Sequence, residues 1–197
     1  MKTFDEEKLR FRFGDRWQVE KWDTCDVYTG GVGKLSGELT DKKDGSPRRE
    51  GTKAVDFVGV LDEEKLYFFE VKDFRGHHLE NKNRQVNELP LEIGLKVRDT
   101  LAGLTGAYAR TGGAGWVERY GRLLVGRQHR VHVVAWIADD RLRPTEPRGK
   151  RAARDSERHA RIKQKLSWLT PRVLVEDPFE LGVPDVTVEN LAGAGQR

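Results

Sequence analysis

The most regular apolar pattern in the chain lies between Lys53 and Phe74, where two β-rich runs flank the turn sequence Asp62-Glu63-Glu64. Bulky apolar side chains alternate onto both faces of these runs, which predicts two neighbouring strands covered on both sides. A third run, RVHVVAWI from Arg130 to Ile137, predicts another buried strand. After Pro171 the run RVLVED predicts a final short strand. A buried sheet is therefore expected at the centre of the fold.

Helical periodicity appears in two later segments. From Leu89 to Arg110, apolar residues recur at spacings of three and four, which predicts an amphipathic helix with one face on the sheet. The basic segment Gly149–Trp168 predicts a second long helix. Residues up to Val27 alternate instead, which predicts one or two early strands preceded by at most one helical turn around Asp5–Lys8.

The order of these elements predicts an α/β fold with a mixed central β-sheet flanked by helices on its faces. The polar, glycine-rich stretch Thr29–Gly51 is either a mobile loop or a weak strand pair. We expect a single domain over residues 1–180. The segment from Leu181 to Arg197 is rich in glycine and alanine, so we expect a loosely ordered tail there.

Composition narrows the function classes. The 197 residues include 37% apolar and 35% charged residues, as expected of a folded protein with a charged surface. No apolar run approaches the roughly 18 residues that a membrane span requires, and the N-terminus lacks the apolar segment of a signal peptide. Cys25 is the single cysteine, which excludes an intrachain disulfide and a CxxC zinc site. We therefore expect a cytoplasmic protein with no membrane partner.

Positive charge is concentrated in the second predicted helix. The segment Arg141–Lys165 carries a net charge of +7, although the whole chain carries only +4. Five basic residues fall there at increments of three and four and are expected to form one stripe that contacts the phosphates of a nucleic acid; the alternative is an ordinary solvated face. The stripe consists of Arg151, Arg154, Arg158, Arg161 and Lys165.

Charged residues interrupt the two central apolar runs. Asp56 lies in the first run, and Glu70 and Lys72 lie in the second. If Leu61 pairs with Lys65 across a three-residue turn, Asp56 lies directly opposite Glu70 on one face of the sheet. A four-residue turn would send the two carboxylates to opposite faces and leave two isolated buried acids. We therefore expect the three-residue turn.

Two neighbouring carboxylates in a poorly solvated site require a cation between them. Together with the Val71 carbonyl, Asp56 and Glu70 form an oxygen set that suits Mg²⁺ or Mn²⁺. Lys72 lies on the same face, where its ammonium can contact an attacking water or a phosphate oxygen. A cation and an ammonium together offset the charge that develops during phosphodiester hydrolysis.

The arrangement of Asp56, thirteen intervening residues and Glu70-Val71-Lys72 resembles the motif of the PD-(D/E)xK nuclease superfamily. The resemblance implies a restriction-endonuclease-like core, in which Asp56 and Glu70 are metal ligands and Lys72 is the catalytic lysine. Val55 stands where the name of the motif has proline.

Many members of that superfamily contribute a further acid from an N-terminal helix. No such helix is evident in this sequence, and Glu7, Glu20 and Asp23 remain alternatives for the further ligand.

The expected function is divalent-metal-dependent hydrolysis of nucleic acid, with DNA favoured over RNA. Two alternatives stay open: a non-catalytic nucleic-acid-binding or protein-interaction module with a nuclease-like core, and a structural domain in which the charged residues form an ion-pair set. Endo or exo action, a homodimer, and membership of a larger repair or defence complex also stay open.

Overall fold

The computed structural model describes residues 1–35, 37–40, 47–75, 88–112, 115–126, 130–139, 148–177, 179 and 182–191. Helices within these ranges are α1 (Asp26–Thr29), α2 (Leu89–Thr111), α3 (Trp116–Gly126) and α4 (Arg148–Leu166), with a 3-10 turn at Val32–Leu35. The strands are β1 (Lys2–Glu6), β2 (Leu9–Phe13), β3 (Trp17–Lys21), β4 (Gly37–Thr40), β5 (Pro47–Glu50), β6 (Phe57–Leu61), β7 (Lys65–Asp73), β8 (Val131–Ala138), β9 (Val173–Glu176) and β10 (Val186–Asn190). None of the described helices combines the length and apolarity needed to cross a bilayer.

A five-stranded sheet in the order β3-β6-β7-β8-β9 forms the centre of the molecule. Strands β3, β6 and β7 pair antiparallel, whereas β7, β8 and β9 pair parallel. The prediction of a mixed α/β fold is therefore confirmed. Strands β1, β2 and β10 form a second, antiparallel sheet, and β4 and β5 form the weak strand pair that the sequence left as one alternative.

Helices cover one face of the central sheet. Ile93 and Val97 of α2, Tyr120 of α3 and Ile162 of α4 are buried in one apolar cluster with Phe68 of β7. For α2 this is the face that the helical spacing predicted. Because the side chains of a strand alternate, Glu70 points to the same helix-covered side as Phe68.

The opposite face is covered by the second sheet, which corrects the expectation of helices on both faces. Leu9, Phe11 and Phe13 of β2 are fully buried against Phe69 and Trp136 of the central sheet. Phe11 stacks on Trp136 with ring centroids 5.0 Å apart. Strand β2 thus has one strongly apolar face, which requires a partner layer.

Three elements differ from their sequence predictions. Strand β1 (Lys2–Glu6) replaces the helical turn expected around Asp5–Lys8, and helix α3 (Trp116–Gly126) was not predicted. Within the expected loose tail from Leu181 to Arg197, Val186–Asn190 is strand β10, so the expectation does not hold for this part. Strand β2 pairs with β1 along one edge. Strand β10 pairs along the other edge of β2 and satisfies the backbone hydrogen-bonding groups there.

The turn between β6 and β7 has the predicted three residues. Leu61 pairs with Lys65, and Asp62 and Glu63 turn the chain with φ of +52° and +58°. Non-glycine residues adopt this left-handed conformation at an energetic cost, which aspartate bears better than most. The Arg16 guanidinium binds both carboxylate oxygens of Asp62 and helps to hold the turn.

Candidate metal centre

The hairpin β6–β7 brings Asp56 and Glu70 to one end of the central sheet. The ladder runs from the turn to the pair Phe57–Phe69 and stops one pair short of Asp56. The Asp56 N–H instead donates to the Phe69 carbonyl at 3.0 Å. The expected direct pairing of Asp56 with Glu70 is therefore not formed, although the register that approaches it is the predicted one.

The two carboxylates nevertheless share a face. The Lys96 ammonium of α2 lies 2.7 Å from Glu70 Oε1 and 3.8 Å from Asp56 Oδ1. A single ammonium reaches both side chains only if they point to the same side. The two carboxylates therefore lie on the same face, between the sheet and α2, as a joint site requires.

Both carboxylates are buried, with Asp56 5% and Glu70 1% exposed. Burial and the neighbouring Glu70 raise the pKa of Asp56 to about 8, against an ordinary value of 3.8. Burial also raises the pKa of Glu70, because it outweighs the opposing effect of Lys96 and Lys72. A further positive group near these oxygens would stabilise their charged forms.

Glu70 has ion pairs but no hydrogen bond of good geometry among the described residues. Lys72 Nζ lies 2.9 Å and Lys96 Nζ 2.7 Å from Oε1, yet both carboxylate oxygens of Glu70 are buried without a hydrogen-bond partner among these residues. A buried carboxylate oxygen without a partner carries a desolvation penalty. The residues present therefore fit a bound cation, which would satisfy these oxygens.

Lys72 lies between two acids. Its ammonium is 2.9 Å from Glu70 and 3.5 Å from Glu92 of α2. Burial alone would lower the pKa of Lys72, but the charge and hydrogen bond of Glu70 outweigh it and raise the pKa overall. Lys72 is consequently protonated at neutral pH and can donate hydrogen bonds.

Two further acids lie beside Asp56. Carboxylate oxygens of Glu6, Asp23 and Asp56 all lie within 4.8 Å of one another. Asp23 was one of the three alternatives for the further ligand. Of the other two, Glu20 pairs with Lys2, and Glu7 accepts a hydrogen bond from the Asp73 N–H; neither belongs to this group.

Glu6 was missed because β1 was not predicted as a strand. Neither Glu6 nor Asp23 comes from an N-terminal helix, since Glu6 ends β1 and Asp23 follows β3.

Lys21 Nζ lies 2.9 Å from Glu6 Oε2. Four carboxylates (Glu6, Asp23, Asp56 and Glu70) thus face three ammonium groups (Lys21, Lys72 and Lys96), one of which, Lys72, is shared with Glu92. Negative charge is in excess when all of these groups are ionised.

Helix α2 fixes the chain segment that precedes Asp56. The Lys53 N–H donates to Asp99 Oδ2 at 2.9 Å, and the Val55 N–H donates to Thr100 Oγ1 at 3.1 Å. Lys96 lies one helical turn before these two acceptors, so the same contacts set its distance to the carboxylates. Sequence reasoning missed Lys96, although it is the single lysine of the predicted helix and adjoins the buried Val97.

The basic stripe is not one exposed row. Arg158 is buried, and its guanidinium lies 3.2 Å from Asp155 Oδ1. It shares a helix face with the buried Ile162 one turn later, which is why it points inward. Arg161 and Lys165 are exposed, and Arg161 pairs with Glu157 at 2.7 Å. The side chains of Arg151 and Arg154 lie outside the described residues.

Comparison with known proteins gives one partial likeness. No family model matches the chain, and no solved structure matches it. The chain is 30% identical over 122 residues to a cysteine–tRNA ligase of Neisseria meningitidis serogroup A / serotype 4A (strain DSM 15465 / Z2491). The match covers 54% of this chain but 17% of the ligase, so the chain spans about a sixth of the relative's length.

Proposed function

We propose that this protein is a divalent-cation-dependent nuclease with a restriction-endonuclease-like core, which hydrolyses phosphodiester bonds in nucleic acid, with DNA the favoured substrate. One observation carries the proposal. Glu70 is 1% exposed and neither of its carboxylate oxygens has a hydrogen-bond partner among the described residues, while Asp56 lies close enough for Lys96 to contact both carboxylates. An oxygen pair so placed suits a hard cation.

The topology around the hairpin also supports the proposal. Glu70 lies on β7 and Asp56 directly precedes β6, its antiparallel partner; helix α2 follows, and β8 then pairs parallel to β7. This order agrees with the core that the motif implies. The partial likeness to a tRNA ligase covers too little of that enzyme to support a ligase activity here.

Asp56, Glu70 and the Val71 carbonyl would hold the cation, with Asp23 and Glu6 as sources of further oxygens. The Val71 N–H donates to Asp56 Oδ2 at 2.6 Å. Because the N–H and C=O of one strand residue point to the same edge, the Val71 carbonyl also faces the Asp56 side. When bound, Mg²⁺ or Mn²⁺ would polarise the phosphate and lower the pKa of a water.

Lys72 would act through its charge. Its raised pKa keeps the ammonium protonated, so it donates a hydrogen bond to a phosphate oxygen or orients the attacking water and does not accept a proton. Its contacts with Glu70 and Glu92 hold the side chain in place before substrate arrives.

Helix α4 would supply the contacts to the nucleic-acid backbone. Of the five predicted basic residues, exposed Lys165 and Arg161 fit this role, and buried Arg158 does not. Such contacts position the substrate without reading sequence. The lone Cys25 fits a reducing compartment, so we place the activity in the cytoplasm.

The test is a cleavage assay. Purified protein is incubated with single- and double-stranded DNA and RNA in Mn²⁺, in Mg²⁺ and in EDTA. We expect cation-dependent cleavage that Glu70→Gln and Lys72→Met each reduce by about 100-fold or more. Glu64→Gln, an exposed acid in the turn of the same hairpin, serves as the matched control and should leave the rate unchanged.

Two results would contradict the proposal. One is the absence of cleavage of any substrate in either cation, which together with salt-sensitive binding would point to a non-catalytic binding module. The other is wild-type cleavage by Glu70→Gln with its fold intact, because the rate would then not depend on the carboxylate that defines the site.

A further inference from the structure

Lys96 stands where the proposed cation would have to bind. It is the one described side chain with an ammonium in contact with both Asp56 and Glu70, at 3.8 Å and 2.7 Å. Lys72 contacts Glu70 from the side of Glu92 and has no ion pair with Asp56 among the described residues. An ion that bridges Asp56 and Glu70 therefore takes the place of Lys96 and not that of Lys72.

The two positive groups cannot share this position. Mg²⁺ binds carboxylate oxygens at about 2.1 Å, closer than the ammonium of Lys96 lies to Glu70 Oε1. With both present, three positive charges would crowd the same two carboxylates in a buried site, where screening by water is weak. Cation binding and the Lys96 contact are therefore alternatives.

We propose that Lys96 is an internal counter-ion of the metal centre, which neutralises Asp56 and Glu70 in the absence of a divalent cation and is displaced when the cation binds. This inference rests on the proposed function, since it concerns the same cation. As a consequence, Lys96 lowers the apparent affinity of the site for the cation and stabilises the fold of the metal-free site.

The displaced side chain has a new partner close by. Glu92 lies four residues earlier on α2, so its carboxylate is on the same helix face as Lys96, one turn away. A glutamate four residues before a lysine is the favourable order for an ion pair within a helix. Lys96 can thus leave the two ligands and still face a carboxylate, which it would share with Lys72.

The experiment measures cation binding without nucleic acid. Mn²⁺ is titrated calorimetrically into the wild type, Lys96→Met, Lys96→Arg and Arg110→Met. Removal of a competing unit charge next to the ligands should tighten Mn²⁺ binding by Lys96→Met by about tenfold or more. Lys96→Arg keeps the charge and should keep the wild-type affinity. Arg110→Met removes a charge from the exposed end of the same helix and should change nothing.

The change in thermal stability on addition of Mn²⁺ gives a second readout, which a merely structural role of Lys96 would not produce. In EDTA, Lys96→Met should melt at a lower temperature than the wild type, because no ammonium then compensates the burial of both Asp56 and Glu70. Saturating Mn²⁺ should remove this deficit, because the cation occupies the vacated place. If Lys96→Met is unfolded in EDTA, recovery of its fold in Mn²⁺ supports the proposal, and continued unfolding contradicts it.

Failure of the counter-ion role can be distinguished from failure of the proposed function. Equal or weaker Mn²⁺ binding by folded Lys96→Met, with binding by the wild type intact, would overturn the counter-ion role and leave the proposed nuclease standing. Absence of Mn²⁺ binding in the wild type and in every variant would remove the cation site itself, and with it the proposed function.

Discussion

Replacement of Asp56 by asparagine should stabilise the metal-free protein as the pH rises. Burial and the nearby Glu70 raise the pKa of Asp56 to about 8 in the fold, against 3.8 as its ordinary value. Asparagine has nearly the same shape and keeps an oxygen that can accept the hydrogen bond from the Val71 N–H. The substitution therefore removes the charge and retains the contact.

The raised pKa of Asp56 gives the direction in which stability changes with pH. The folded protein binds the Asp56 proton more tightly than the unfolded chain does, so this carboxyl imposes no penalty below about pH 4 and an increasing one from pH 4 to pH 8. Each tenfold difference in proton affinity corresponds to about 1.4 kcal/mol. With a folded pKa of about 8, the wild type loses about 4 kcal/mol of unfolding free energy at pH 7 and about 6 kcal/mol above pH 8.

The assay is urea denaturation followed by tryptophan fluorescence in EDTA at pH 5, 7 and 9. Asp56→Asn should be more stable than the wild type at pH 7 by about 4 kcal/mol, with a larger gain at pH 9. Asp15→Asn, at an exposed aspartate whose pKa is lowered by the N-terminal ammonium, should give no such alkaline gain. In saturating Mn²⁺ the order should reverse, because the cation stabilises only the chain with its ligand intact.

Parallel pH profiles for wild type and Asp56→Asn would refute the reasoning. Equal slopes would mean that Asp56 is ionised in the metal-free fold without penalty, so that its charge is already compensated. The proposed cation site rests on buried charge that is poorly compensated. A compensated Asp56 would remove the main energetic reason for a cation to bind there.

Two further predictions test the metal centre and the sheet separately. Asp23→Asn should weaken Mn²⁺ binding by about tenfold, whereas Glu20→Gln, which removes an acid paired with Lys2, should not; equal effects would deny Asp23 a role as a ligand. Gly59→Val should lower the free energy of unfolding by about 1–3 kcal/mol in denaturation experiments, since a Cβ at this position would lie 3.2 Å from the Trp17 ring; an unchanged midpoint would contradict the observed packing.

The hairpin that carries the acids could be predicted from sequence because its determinants are local. Three residues between Leu61 and Lys65 fix the register, and the register decides which face each side chain takes. Asp56 itself departs from the ladder, with its N–H on the Phe69 carbonyl. No sequence pattern signals that departure, since it depends on how the strand end meets β3 and α2.

Lys96 and Glu6 could not be predicted because tertiary packing brings them to the site. Lys96 reaches Glu70 through the docking of α2 on the sheet, and Glu6 reaches Asp56 through the placement of β1. Strand β10 has the same origin, because its partner β2 is nearly the whole chain length away. Arg158 is a different case, because it lies four residues before the apolar Ile162 and this spacing puts both side chains on the same buried helix face.

The hydrogen bonding of Glu70 favours the proposed metal centre over a structural ion-pair set. In a set that exists for stability, ammonium groups would be expected to satisfy both oxygens of the buried acid, because each unsatisfied oxygen costs free energy. Here two ammonium groups lie 2.7 and 2.9 Å from Oε1, but neither oxygen of Glu70 has a hydrogen-bond partner among the described residues. Asp56 meanwhile has its pKa raised to about 8 despite the nearby Lys96. The compensation of the two carboxylates is therefore incomplete, and a divalent cation that binds both of them would complete it and release Lys96.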